Sequence, residues 1–272
     1  MTAVTPAPTR TTDLQSAWDA WHRGREEALA VPHGWLSLTG FHWLPETAGE
    51  LDGLPGVWRA DAAGAELTGG DGLVVAADGR PVEGTLTAQL AEDGSLMWVR
   101  DGERVVELVL RGGRYAVRVR DPKAPTLQGF RGIPAFPVDP AWVLTGTYAA
   151  YPAPVPTEVD TARAGLRQRV PAVGEVTVEI AGTSHTLVAT GSAGSPSIAF
   201  HDATNGDTTA PWRVVPVVPA PGGRAGEVVL DFNRAVNQPF SFSPFGTCPA
   251  PIAGNTLPVA VTAGERTPAA VA

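Results

Sequence analysis

Apolar residues in this chain recur with two periods, and the helical one is clear only once. In residues 13–30 (DLQSAWDAWHRGREEALA), Leu14, Trp18, Trp21 and Leu29 fall on one helix face. Thr12 or Asp13 can cap the start, Pro32 stops the run and Gly24 weakens it slightly. The helix is expected to lay its two tryptophans on a sheet. Beyond Pro32 the period is two. Residues 104–111 (RVVELVLR) and 114–120 (RYAVRVR) flank Gly112-Gly113, a two-residue hairpin signal. Tyr115, Val117 and Val119 then face one way, and Ala116, Arg118 and Arg120 the other. Residues 175–180 alternate again and turn at Gly182 into 185–190. Further strands are predicted at 72–77, 84–91, 95–100, 142–150, 197–201, 212–218, 226–232 and 257–262. The expected fold is mainly β, an antiparallel β-sandwich or β-barrel of about a dozen short strands with one N-terminal helix.

Composition sharpens this. Among 272 residues there are 31 glycines and 26 prolines, 57 in all, about 21% against roughly 12% in average usage. Such punctuation disfavours long helices. A hydrophobic share of 43% is that of a globular chain. The irregular residues concentrate in 121–140 and 152–172. The second segment, with Arg163, Arg167 and Arg169, reads as a linker, a lid or a short helix. Residues 12–266 are expected to form a single mainly-β domain, with 155–172 the place where it would divide. Residues 1–11 and 267–272 read as disordered tails.

The net charge of −8, from 20 basic and 28 acidic residues, argues against a nucleic-acid partner. Lys123 is the sole lysine, so the cations are almost all arginine. One cysteine, Cys248, excludes an internal disulfide and a multi-cysteine metal site. The N-terminus lacks the pattern of a signal peptide, and no apolar run is long enough for a membrane helix. A cytoplasmic, monomeric or weakly dimeric protein is expected.

The familiar catalytic signatures are missing: no G-x-S-x-G elbow, Walker loop, dinucleotide fingerprint, H-E-x-x-H or C-x-x-C. No metal and no cofactor is therefore expected. His185 follows a turn and is expected to face solvent. His201, beside Asp202, reads as an exposed strand-end pair or as a proton-transfer pair.

Three segments could carry chemistry. After the apolar strand Val228–Leu230 comes Asp231-Phe232-Asn233-Arg234, then Asn237, Cys248 and Asn255. Asp231 can act as a base, Arg234 can clamp an anion, and Asn233, Asn237 and Asn255 can orient a ligand through their amides. The competing reading is that these groups satisfy loop backbone that has no ladder partner. In residues 33–44 (HGWLSLTGFHWL), Trp35, Phe41 and Trp43 with His42 can line a pocket or pack a core strand. Asp202, Thr204 and Gly206 form a turn leading toward Trp212-Arg213, and Arg213 could be a second cation.

Together these segments resemble a bacterial family known only as a domain of unknown function. Its members look like GWLSLTGL-x-WL near the start, then F-x-D-x-T-x-G followed by an Arg, then DFN-x-A-x-N-x-P…TCP-x-P…N-x-LPV-x-V-x-AGE. The matches are Gly34–Leu44, Phe200–Gly206 with Arg213, and Asp231–Glu265, while Asp121-Pro122 and Phe136–Asp139 fit the family's middle. The resemblance implies that Asp231, Asn233, Asn237, Cys248 and Asn255 belong to the family pattern. This chain departs from NPPCAF at Asn237–Phe242 and lacks a Tyr-Gly and a Gly-Arg before Trp212-Arg213, which argues against a shared thiol mechanism.

The expected function is small-molecule binding, with a metal- and nucleotide-independent enzyme (hydrolase, isomerase or cyclase) acting on a small anionic metabolite. Asp231 and His42 would move protons. Arg213, Arg234, Asn233, Asn237, Asn255, Trp35 and Trp43 would hold the substrate. The alternatives are a non-catalytic binder, and a structural domain whose polar C-terminal stretch only locks loops.

Overall fold

The computed structural model describes residues 11–269; most of the expected N-terminal tail and the last three residues of the C-terminal one lie outside that range. Of the expected C-terminal tail, residue Thr267 is fixed by a bond from its N–H to the Thr208 carbonyl (3.1 Å).

The N-terminal helix α1 spans Thr11–Leu29, so Asp13 lies in its first turn, where a carboxylate suits the helix dipole. The first strands are β1 (Leu38–Trp43), β2 (Gly49–Leu51), β3 (Leu54–Asp61), β4 (Gly64–Thr68), β5 (Leu73–Val75), β6 (Thr85–Ala88), β7 (Ser95–Asp101), β8 (Arg104–Arg111) and β9 (Arg114–Arg120). A four-residue helix, α2 (Pro125–Gln128), follows. Then come β10 (Val143–Asp160), β11 (Arg167–Ile180), β12 (Thr183–Ser192), β13 (Ser195–Phe200), β14 (Arg213–Pro216), β15 (Val218–Pro219) and β16 (Glu227–Asp231). No helix among the described residues is long and apolar enough to cross a membrane.

All three sheets are antiparallel. One runs β1-β9-β8-β7-β5, one β2-β3-β4-β6, and the third β14-β13-β12-β11-β10-β16-β15. The first two share a core built on Trp58, Leu67, Trp98, Leu108 and Val117. The third curls into a nearly closed barrel around Val176, Leu187, Ile198, Phe200, Leu230 and Phe232. Both expected β architectures, paired sheets and barrel, thus occur along the one chain.

The Gly112-Gly113 hairpin is present, with φ of 58° and 72° as a mirror-image turn needs. β9 alternates as predicted, with Tyr115, Val117 and Val119 in the two-sheet core and Arg118 and Arg120 buried on the opposite face.

Several expectations need correction. The segment 152–172 is neither linker nor helix: β10 continues to Asp160, residues 161–166 turn, and β11 begins at Arg167 and pairs back along β10, with a register break between Ala150 and Val155. Pro152 and Pro154 fall in that break, where no ladder N–H is required. Residues 257–262 form no strand, because their backbone groups bond to scattered partners and not to one neighbouring strand: the Leu257 N–H goes to the His201 carbonyl (2.8 Å) and the Val259 carbonyl accepts from the Ala203 N–H (3.0 Å). The Val261 N–H goes to Asp202, and the Val261 carbonyl accepts from Arg213. The tryptophans of α1 lie not on a sheet but on the turn after β16, where Trp18 Nε1 donates to the Asn233 carbonyl (2.6 Å).

Candidate functional site

The polar residues after β16 serve the backbone. Asp231 caps the 3-10 turn at 232–234, its Oδ1 accepting from Asn233 N (3.1 Å) and Nδ2 (3.0 Å). Asn233 accepts from the Asp139 N–H (2.9 Å) and donates to the Asp139 carbonyl (3.0 Å). Arg234 pairs with Asp231 (3.3 Å) and lies 5.5 Å from the Trp21 ring. Asn255 accepts from the Val188 N–H (2.8 Å) and donates to the Val188 and Ala199 carbonyls (2.9 Å each), tying the C-terminal stretch to β12 and β13.

A second network runs under α1. Arg213 is fully buried. Its Nη2 donates to Asp202 Oδ2 and the Val261 carbonyl (2.9 Å each), and its Nη1 to the Ala263 carbonyl. Asp202 Oδ1 also accepts from Thr204 N (2.8 Å) and Oγ1 (2.5 Å). Burial lowers the Arg213 pKa, and the Asp202 carboxylate opposes that. Glu265 accepts from the Asn237 N–H (2.6 Å) and from Arg25 (3.1 Å), while Asn237 Nδ2 donates to the Arg266 carbonyl. Burial outweighs these partners and raises the Glu265 carboxyl above its ordinary range. Arg213 is therefore enclosed by chain and does not stand on a cavity wall with the partly exposed Asp231 and Arg234. His201 bonds to the Pro211 carbonyl (2.9 Å), while Asp202 is buried and pairs with Arg213, so the two form neither an exposed nor a proton-transfer pair. His185 is half-buried, not solvent-facing.

The aromatic segment at 33–44 meets a different set of cations. Phe41 and Trp43 share one face of β1, and alternation turns His42 to the other. Trp35 lies under Arg120 and Arg118 (5.0 and 5.3 Å), Phe41 under Arg118 and Arg163 (6.0 and 3.9 Å), and Trp43 under Arg163 and Arg114 (5.9 and 4.2 Å). Arginine and aromatic ring thus alternate from the buried Arg120 to the exposed Arg114. Trp35, His42 and Trp43 are thereby spread along β1 and its approach and do not gather in one pocket.

The exposed end of this ladder opens on a cleft of about 470 Å³ between the Gly112-Gly113 hairpin and residues 164–169. Trp43 and Arg114 form one wall, and Arg167 and Arg169 the other. Glu92, also in the lining, is occupied by the Gly112 and Gly113 N–H groups (2.5 and 2.8 Å). Arg167 pairs with Glu158 (2.8 Å) and Asp160 (3.4 Å). Arg114, Arg163 and Arg169 have no carboxylate partner among the described residues. Burial lowers the Arg163 pKa. Cys248 is buried and burial pushes its thiol up, so it is not a ready nucleophile.

The sequence nominates Trp35 and Trp43 but does not show their arginine partners, Arg120 and Arg118 on Trp35 and Arg163 and Arg114 on Trp43. The available signals were arginines alternating with apolar residues on β9, and the cluster Arg163, Arg167 and Arg169.

A mainly-β chain with a nearly closed antiparallel barrel is thus defined, its polar C-terminal stretch woven into that barrel. The chain belongs to the family described as "Protein of unknown function (DUF1684)", which it matches over residues 128–266, just over half its length. The GWLSLTG segment at 34–44 lies outside that span. An uncharacterized protein of Haloarcula marismortui, solved in solution by NMR, is 28% identical over 52% of this chain and 78% of that one, with a TM-score of 0.43. No curated protein matches the chain.

Proposed function

We propose that this protein binds a small anionic molecule with a flat apolar body in the cleft beside Trp43. The carrying observation is that Arg114 lies on the Trp43 ring at 4.2 Å and Arg169 lines the same cleft, both without a carboxylate partner among the described residues. An aromatic wall flanked by unpaired guanidinium groups suits a carboxylate on a planar body. A binding role fits better than turnover, because Asp231 and His42, the nominated proton carriers, are outside the cleft lining. The role assigned to Trp43 stands within this proposal. Asp231, Asn233, Asn237, Asn255, Arg213 and Arg234 are proposed as the frame that holds the barrel.

Calorimetric titration with benzoate, and with benzylamine as the cationic counterpart, tests this. Benzoate should bind and benzylamine should not. Arg114→Gln and Trp43→Ala should each weaken benzoate about tenfold or more, the scale of one charge-assisted hydrogen bond. Equal affinity for the two probes, or unchanged affinity in both variants, would refute the proposal.

A further inference from the structure

The buried end of the ladder carries a charge with too few partners. β8 and β9 place Glu107 directly opposite Arg118, with Arg120 two residues along the same face. All three are almost fully buried, Arg118 at 1% exposure. Arg120 takes the carboxylate: its Nε and Nη2 both reach Glu107 Oε2, at 3.0 and 2.7 Å. Arg118 Nη1 is left 3.8 Å from that same oxygen, beyond hydrogen-bond length. Its Nη2 donates to Thr247 Oγ1 (2.7 Å). Its Nε and Nη1 have no acceptor among the described residues.

Two guanidinium charges therefore share one carboxylate in a dry setting. Aromatic faces at Trp35 and Phe41 ease the charge of Arg118 but accept none of its in-plane N–H bonds. The nearby Cys248 thiol does not supply the missing negative charge, since burial pushes it up. Burial brings Arg118 down to about 10, which still leaves it charged at neutral pH. Arg213, the other fully buried arginine, shows the contrast: it has a carboxylate, Asp202, directly on its Nη2. A buried charge without a counter-charge is costly, and the orphan N–H groups that carry it call for an acceptor.

We propose that Arg118 and Thr247 anchor a buried site for a small monovalent anion, either a carboxylate group or a halide. The site is independent of the cleft at Trp43, because it rests on different donors. Its ligand accepts from Arg118 Nε and Nη1 and completes the charge balance that Glu107 leaves short.

The test is thermal unfolding of the full chain in sodium chloride and in sodium formate, each against sodium gluconate at matched ionic strength, with chloride-35 linewidths as a second readout. Chloride or formate should stabilise saturably, by roughly 5–10 °C at one hundred times Kd, and gluconate should not. A response to chloride identifies a halide site that formate should displace; a response to formate alone identifies a carboxylate site. Arg118→Met should abolish the anion response without lowering the melting temperature at low salt, because it removes the unpaired charge. Should that variant fail to fold, Thr247→Val should weaken the anion several-fold. The proposal is overturned if neither anion exceeds gluconate, if Arg118→Met responds like the wild type, or if Thr247→Val leaves the affinity unchanged.

Discussion

The Asp202→Asn substitution separates a structural from a functional role for the polar network under α1. Asp202 and Arg213 are both buried, and their 2.9 Å contact is the only carboxylate contact of Arg213 among the described residues. The substitution keeps the shape and an acceptor for Thr204, but removes the charge. It also sets an amide against Arg213 in the position of the lost oxygen. Breaking one partner of a buried pair costs about 3–5 kcal/mol. For a chain of this size, each kcal/mol moves the melting temperature by roughly 2–4 °C, so a fall of roughly 6–20 °C is expected. Calorimetry and urea denaturation would measure it. The double variant Asp202→Leu/Arg213→Met should recover only part of the loss, because the Val261 and Ala263 carbonyls then lose their donor. The benzoate affinity of the cleft should not change in folded protein. A melting temperature within about 2 °C of wild type, with ligand binding abolished, would refute the structural assignment.

Two further outcomes test the same frame. Burial raises the Glu265 carboxyl above its ordinary value of 4.5, so the folded chain binds this proton more tightly than the unfolded one. The contribution of Glu265 is then full below about pH 4.5 and lost as pH rises through its higher folded value. Glu265→Gln should flatten that part of the melting-temperature profile above pH 4.5, and an unchanged slope would exclude Glu265 as its source. Gly264 has φ of 77°, and a Cβ there would lie 2.6 and 2.7 Å from the Ala235 and Phe232 carbonyl oxygens. Gly264→Ala should therefore cost well over the roughly 1–2 kcal/mol of backbone strain alone expected for Gly254→Ala, where the space is open. Equal losses in urea unfolding would contradict the close packing.

Local alternation made most of the fold legible. β7, β8, β9, β12 and β13 lie where the period of two places them, within a few residues. β2, β3 and β4 were missed because Gly53, Gly56 and Gly64 interrupt the run, each at positive φ, and break the pattern that marks a strand. The prolines of β10 hid its second half for the same reason: a proline reads locally as a stop, and only the partner strand reveals a bulge that tolerates it. The site was less legible. Arg118 reads as the solvent-side residue of an amphipathic strand, and what buries it lies far along the chain, at Thr247. Nothing in the spacing of residues 114–120 discloses that contact.

The polar density after β16 has a physical cause that is separate from chemistry. β16 is the last strand, and the chain must still thread the barrel through Leu257, Val261 and Ala263, all buried. A buried segment without a ladder needs side chains for its backbone groups. Asparagine suits this best, offering one donor and one acceptor group in the geometry of a peptide; Asn233 and Asn255 use both groups on backbone partners. Density of Asp, Asn and Arg therefore marks where the backbone lacks partners. Binding chemistry is better read from the reverse condition, cations whose own partners are incomplete. In this chain cations with no carboxylate of their own stand at Arg114, Arg163 and Arg118, along the face of β1 and β9, whereas Arg234, in the stretch where polar residues are most frequent, is paired with Asp231.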